Sequence, residues 1–356
     1  MANTHQKFFL GANSADGFIS HFSDSYIPGT WKAYIIKGGP GSGKSSFMKY
    51  IAAKAADKGY TVILTPCSSD PDSLDGVIIE DIKTVILDGT APHIVEPKLP
   101  GACENIINLG EFWDSEKLFQ NAKKIKETAE RNAKLHKTAS AYLCAAGELI
   151  FDNLKLSRIY TDRTAALRLA KRIAKKYLPD SEKKTATEFV RFIGGTTPKG
   201  IISYDKTVTD FYENVIVIED KYGAVSNEIM KYLRAAAKQR GYDTITLKNP
   251  ILPTELIDHI LIPELSLAFV TENEFIKFDN NTRRIHARRF EDIRSLKAYR
   301  ARMLFNRRVS RELLLGAIST LKGAKSVHDE LENYYINAMD FKSLTDFAVK
   351  FAEKIL

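Results

Sequence analysis

Cysteine is scarce in this chain: Cys67, Cys103 and Cys144 are odd in number, widely spaced and without a C-x-x-C pair. That usage excludes a disulfide framework and a zinc ribbon, so free thiols are expected. Long hydrophobic runs are missing too, and no window reaches membrane-spanning length without charges. The opening MANTHQKFFLGANSADG has no basic segment followed by an apolar stretch of signal-peptide length. A cytoplasmic protein with no membrane partner is expected. What remains is ordinary: 356 residues, 44% hydrophobic and 27% charged, long enough for two domains with proper cores. The formal net charge of +8 is moderate, so its distribution matters more than its size.

Against that background one stretch stands out. Residues 38 to 45 read GGPGSGKS, after the apolar run Ala33, Tyr34, Ile35, Ile36 and before a helical pattern from Phe47 to Lys58. Strand, Gly-rich loop and helix in that order make a phosphate-binding P-loop, with Gly38, Gly43, Lys44 and Ser45 in its fixed positions. Backbone N–H groups of Gly38, Gly39, Pro40's neighbours, Gly41, Ser42, Gly43, Lys44, Ser45 and Ser46 would line an anion cradle at the positive end of the helix. In that arrangement Lys44 lies along the β- and γ-phosphates and the Ser45 hydroxyl ligates Mg²⁺. The competing reading is a flexible Gly-rich turn.

The chain then repeats itself. FMKYIAAKAADKGY (47 to 60) is answered by IMKYLRAAAKQRGY (229 to 242), LDGVIIEDIKTVIL (74 to 87) by IDHILIPELSLAFV (257 to 270), and FLGANSADGFIS (9 to 20) by FIGGTTPKGIIS (192 to 203). Alternating strand and helix patterns imply α/β halves with a mostly parallel sheet, here duplicated as tandem P-loop NTPase-like domains. Each half runs on into a long helical extension. One seam passes through Leu118, Ala122, Ile125, Ala129, Asn132, His136, Ala139, Leu143, Ala146 and Ile150; the other through Leu296, Tyr299, Met303, Asn306, Ser310, Leu313, Ala317, Thr320 and Ala324. The polar pairs Asn132/His136 and Asn306/Ser310 either set register or face solvent. Shorter helices, 162 to 177 and 341 to 355, close each half, giving domains 1–180 and 188–356 about the Pro179-Asp180-Ser181 break.

The repeat supplies an internal control. Gly11/Gly194, Gly17/Gly200, Gly59/Gly241 and Asp75/Asp258 are kept in both halves and so serve the fold. Where the first half has GGPGSGKSS the second has DKYGAVSNE, so Lys44 faces Ser226, Ser45 faces Asn227 and Gly38 faces Asp220. Glu219 and Asp220 would repel phosphate, and the second lobe is expected to bind nucleotide weakly or not at all. Asp88, facing Thr271, ends an apolar run at the place from which a Walker B aspartate reaches Mg²⁺; as a bland alternative, Asp88-Gly89 is good turn chemistry. For the group that positions a water the candidates are Asp70, Asp72, His93 and Glu96, with His93 first. ATP is the expected nucleotide, since no N-K-x-D or T-K-x-D stretch reads guanine.

Arginine is concentrated late in the chain, at 283, 284, 288, 289, 294, 300, 302, 307, 308 and 311, with a thinner basic face of Arg158, Arg163, Arg168 and Arg172 earlier. A polyanion surface is one reading. A solvated helix face, with one arginine serving another subunit as a finger, is the other, and nucleic acid is the less favoured partner.

With the P-loop, LDGTAPHIVEPKLPGA (87 to 102), INLGEFWD (107 to 114), CSSDPDSLDGVIIED and the degenerate second copy assembled, nearly the whole chain resembles a family of uncharacterised bacterial tandem P-loop ATPases. The resemblance implies an ATP-binding protein with two P-loop-like halves, nucleotide at 38 to 46 and metal at Asp88. The function expected is an Mg·ATP-dependent ATPase or switch of slow turnover, with a homo-oligomer or a protein partner. The alternatives are a small-molecule or nucleotide kinase, whose loop style GGPGSGKS shares, and a nucleic-acid-associated protein with regulatory ATP.

Overall fold

The computed structural model describes residues 5–278 and 282–356; residues 1–4, at the start of the expected first domain, lie outside them. Strand β1 (Gln6–Lys7) and the hairpin of β2 (Gly11–Ser14) and β3 (Gly17–Ser20) lead into β4 (Lys32–Lys37), helix α1 (Lys44–Asp57), β5 (Val62–Pro66), β6 (Leu74–Ile79), β7 (Thr84–Asp88) and β8 (Glu104–Asn108). A helical arm of α2 (Ser115–Gln120), α3 (Ala122–Ile159) and α4 (Arg163–Tyr177) follows. The second half begins with β9 (Glu188–Arg191), the hairpin of β10 (Gly194–Thr197) and β11 (Gly200–Ser203), and the short α5 (Lys206–Thr209). It continues through β12 (Asn214–Glu219), α6 (Ala224–Gln239), β13 (Thr244–Lys248), β14 (Ile257–Ile262), β15 (Leu267–Glu272) and β16 (Arg283–His286). Its arm is α7 (Ile293–Leu296), α8 (Arg300–Ile336) and α9 (Phe341–Ile355).

The duplication read from the sequence extends to the strand order. One six-stranded sheet runs β1-β5-β6-β7-β4-β8 and the other β9-β13-β14-β15-β12-β16, element for element the same. Both are mixed with mostly parallel strands: β6 and β14 run against their neighbours, and the other pairings are parallel. No helix joins β6 to β7. The four residues 80 to 83 are too few for a crossover and suffice only for a hairpin, turned at Lys83 with φ 47°.

Strands buried on both faces explain the continuous apolar runs. Ala33, Ile35, Ile63, Ile78, Val85 and Leu87 of the first sheet share one core with Val217, Ile245, Leu247, Leu261, Ala268 and Val270 of the second. The alternate residues face helices: Ile36, Val77 and Ile86 meet α1, while Ile218, Ile260 and Phe269 meet α6. The layers are thus helix, sheet, sheet, helix, with the two halves back to back on one core.

The terminal helices do not close their own halves. Ala166, Ala170 and Ile173 of α4 pack on α6 and the second sheet. Leu344, Ala348 and Phe351 of α9 pack on Phe47 and Met48 of α1 in the first lobe. Between them α3 and α8 run antiparallel, joined by Arg131 to Glu330 at one end and by Asn153 to the Met303 carbonyl at the other. Short bridges anchor both crossings, Trp113 with Met339 and Thr161 with Glu291. The helical arms are exchanged within a single chain, so 1–180 and 188–356 are repeats in sequence but each lacks a helix of its own lobe.

Candidate functional site

The loop at 38 to 46 joins β4, which lies between β7 and β8, to α1. Gly41 and Gly43 have φ of 68° and 85°, a region other residues rarely occupy, and Gly43 turns the chain directly into a helix whose first residue is Lys44. Ser42 Oγ donates to the Gly39 carbonyl at 2.8 Å, tightening the loop. Lys44 Nζ donates to the carbonyls of Gly38 at 3.0 Å and Gly39 at 2.8 Å, and lies 3.6 Å from Asp88 Oδ2 at the end of the adjacent parallel strand. Ser45 Oγ accepts the Leu74 N–H at 2.9 Å, which orients the hydroxyl and leaves a second lone pair.

Helices from the other half press on this loop. A Cβ at Gly39 would come within 2.4 Å of the Tyr335 ring, and one at Gly41 within 2.7 Å of the Glu332 carbonyl oxygen, both on α8. A Cβ at Gly43 would meet Leu344 of α9 at 2.7 Å. The Glu332 carboxyl is held below its ordinary range first by His328, with a contribution from the Gly41 N–H of the loop itself. Sequence reasoning missed these neighbours, because an arm returning from the opposite half leaves no local trace.

Beside Lys44 lies a buried group of Asp75, Asp88 and His93. Asp88 Oδ1 accepts from the N–H and hydroxyl of Thr90 at 2.9 and 2.6 Å, which leaves Oδ2 toward Lys44 and His93. His93 Nε2 is 3.9 Å from Asp75 Oδ1 and 4.0 Å from Asp88 Oδ2, beyond hydrogen-bond range, and its ring stacks on Phe22. Burial, with Lys44 adding to it and Asp88 opposing, pushes the imidazole down to about 4. Burial and then the Asp88 charge push the Asp75 carboxyl up to about 8, against a hydrogen bond from Cys67. Asp75, which the repeat had marked as a fold residue, therefore faces the site. Its one sequence signal was a carboxylate inside the otherwise apolar strand LDGVII.

The other candidates are engaged elsewhere. Asp72 is exposed and paired with Lys199, Asp70 accepts from Ser73 Oγ at 2.8 Å and meets Lys325 at 3.5 Å, and Glu96 binds Lys37 at 2.6 Å. Lys37 also donates to the carbonyls of Gly89 and Val95, tying the loop after β7 to the end of β4. The late arginines are partly spent on the protein's own carboxylates: Arg284 on Glu272, Arg302 on Asp152, and Arg307 and Arg311 on Glu274.

The corresponding loop of the second lobe has the same backbone shape, with Gly223 at φ 81° opening α6. Its N–H groups are already used. The buried Asp220 carboxylate accepts from Tyr222, Gly223 and Ser226 at 3.1, 3.0 and 2.8 Å, an internal anion where the first loop has Gly38. Asn227 Oδ1 accepts from the Ile257 N–H at 3.0 Å, as Ser45 does from Leu74. Glu219 instead faces out to His286. No helix among the described residues is long and apolar enough to cross a membrane. Comparison with protein-family models, curated proteins and solved structures finds no match to this chain.

Proposed function

We propose that the chain is an Mg·ATP-binding P-loop protein of slow turnover, with one nucleotide site, in which the bound state is reported through the exchanged helical arm. The observation that carries this reading is the contrast between the two loops. Both have the helix-opening glycine, but Asp220 fills the second from within, whereas in the first Lys44 lies at the loop mouth beside Asp88. Loop N–H groups and Lys44 suit a triphosphate. The residues also fit a magnesium ion, with the spare lone pair of Ser45 on one side and Asp88 on the other, and such an ion neutralises charge on the β- and γ-phosphates when bound.

Slow turnover follows from the occupied carboxylates. Asp72 and Glu96 are held by lysines, Asp70 by Ser73 and Lys325, and His93 is buried, so none of the four candidates among the described residues is free of a competing contact or open to water at once. A switch follows from Glu332. A phosphate entering the loop repels this carboxylate, carried on the helix that packs against Gly39 and Gly41, which biases α8 and, through it, α3. The arginine pairings weigh against a nucleic-acid surface.

The test is calorimetric titration of Mg·ATP into the full chain and its Lys44→Ala variant. One nucleotide per chain is expected, with affinity reduced by at least about tenfold in the variant, since Lys44 supplies a charge-assisted contact worth about 1.5 to 3 kcal/mol. Equal binding by both proteins, or two nucleotides per chain, would overturn the proposal.

A further inference from the structure

The Asp75, Asp88 and His93 group has a property that nucleotide binding does not use. We propose that these three side chains form a site for one divalent transition-metal ion, of the Zn²⁺, Mn²⁺ or Co²⁺ kind, which shares Asp88 with a magnesium ion at Ser45 but takes Asp75 and His93 as its own ligands. Two carboxylate oxygens and an imidazole nitrogen lie within 4.8 Å of one another, all on buried residues. The His93 side chain is 7% exposed, and both its ring nitrogens lack a hydrogen-bond partner among the described residues. A buried imidazole with neither nitrogen satisfied is costly unless something completes it.

The spacing suits a metal better than it suits the protein alone. Ligand atoms about 2.1 Å from a tetrahedral ion stand roughly 3.4 Å apart. His93 Nε2 stands 3.9 and 4.0 Å from the two oxygens, so about half an ångström at each would bring the imidazole into range, with the two carboxylates, within 4.8 Å of one another, drawing in on the ion as well. The first shell is partly fixed in advance. Thr90 holds Asp88 Oδ1 and leaves Oδ2 for the centre, while Phe22 holds the ring plane. A neutral imidazole among the donors selects against Mg²⁺, which favours oxygen and water, and for the later first-row ions.

The second lobe shows what the site needs. Asp258 occupies the Asp75 position there, but Asn249 Nδ2 donates to both its oxygens, and Thr271 stands where Asp88 would be. One metal per chain is therefore expected. Lys44, 3.6 Å from Asp88 Oδ2, is the competing cation. It has carbonyl partners at Gly38 and Gly39 to retain when a metal enters.

The experiment is titration of the chelator-treated, nucleotide-free full chain with Co²⁺, read by its visible d–d absorption, and then displacement with Zn²⁺. One equivalent is expected, with His93→Ala and Asp75→Asn each weakening it by more than the roughly 10- to 100-fold that loss of an outer partner costs. Asp258→Asn should leave it unchanged. Lys44→Ala should bind Co²⁺ at least as tightly as the wild type, which separates this inference from the nucleotide reading: metal binding with no ATP binding sinks only the latter. Circular dichroism of each variant confirms that it is folded. Folded His93→Ala taking up Co²⁺ with wild-type affinity and spectrum, or no uptake by the wild type, would overturn the site.

Discussion

Asp258 is a residue outside the candidate site at which pH should be felt. It is 4% exposed, and burial, with Asp220 adding to it, raises its carboxyl from 3.8 to about 7 although Asn249 stabilises the charge. A folded-state value above the unfolded one means that the native protein holds the proton more tightly between about 4 and 7. Stability then falls as pH rises through that window and does not recover above it. Asp258→Asn removes the ionisation while keeping one acceptor for Asn249. Its melting temperature relative to wild type should therefore rise on going from pH 5 to pH 8, by about 2 °C or more. A difference that stays constant between the two pH values would show that Asp258 does not titrate in this range.

At the scale of elements, the join between α3 and α8 rests on a small polar cluster. Asn306 is buried and donates to Asp152 Oδ2 at 2.7 Å and to Asn153 Oδ1 at 3.0 Å, while Asn153 Nδ2 reaches the Met303 carbonyl at 3.1 Å. A shift of one helical turn would strand each of these groups, so the Asn306 break in the seam sets register rather than facing water. Asn306→Ala leaves Asn153 and Asp152 short of a donor and should destabilise the protein by about 1 to 3 kcal/mol, read from urea unfolding. An effect below about 0.5 kcal/mol would mean that the cluster is dispensable.

The same level of structure marks what the amino-acid pattern could and could not reveal. The loop, α1, β7 ending at Asp88, both long helices and the duplication are local patterns or internal matches, and all are legible. The reversed strand β6 is not, because LDGVII is apolar on both faces whichever way it runs. Nor could spacing place Asp75 beside His93, or Glu332 and Tyr335 over Gly39 and Gly41, since those meetings depend on a hairpin and on the exchange of arms. Asp72 and Glu96 read as candidates only because their partners, Lys199 and Lys37, lie far from them in sequence.

For the whole molecule the consequence is that neither sequence repeat is a folding unit. A fragment of residues 1–180 would retain α1 but lack α9, exposing the face of Phe47 and Met48 that Leu344 and Phe351 cover. It would also expose Ile35, Ile63, Val85 and Leu87, whose neighbours in the shared core come from Val217, Ile245, Leu261 and Val270. Burying a side chain of that size contributes about 1.5 to 3 kcal/mol, and losing half a dozen such burials, about 9 to 18 kcal/mol, matches the 5 to 15 kcal/mol by which domains are ordinarily stable. Residues 1–180 and 188–356 produced separately should each lack a cooperative unfolding transition. Produced together they should elute as one complex with the melting curve of the intact chain. A 1–180 fragment that is monomeric and melts cooperatively would instead make the exchanged α9 an accessory, and any nucleotide binding by it would confine the proposed switch to the first lobe.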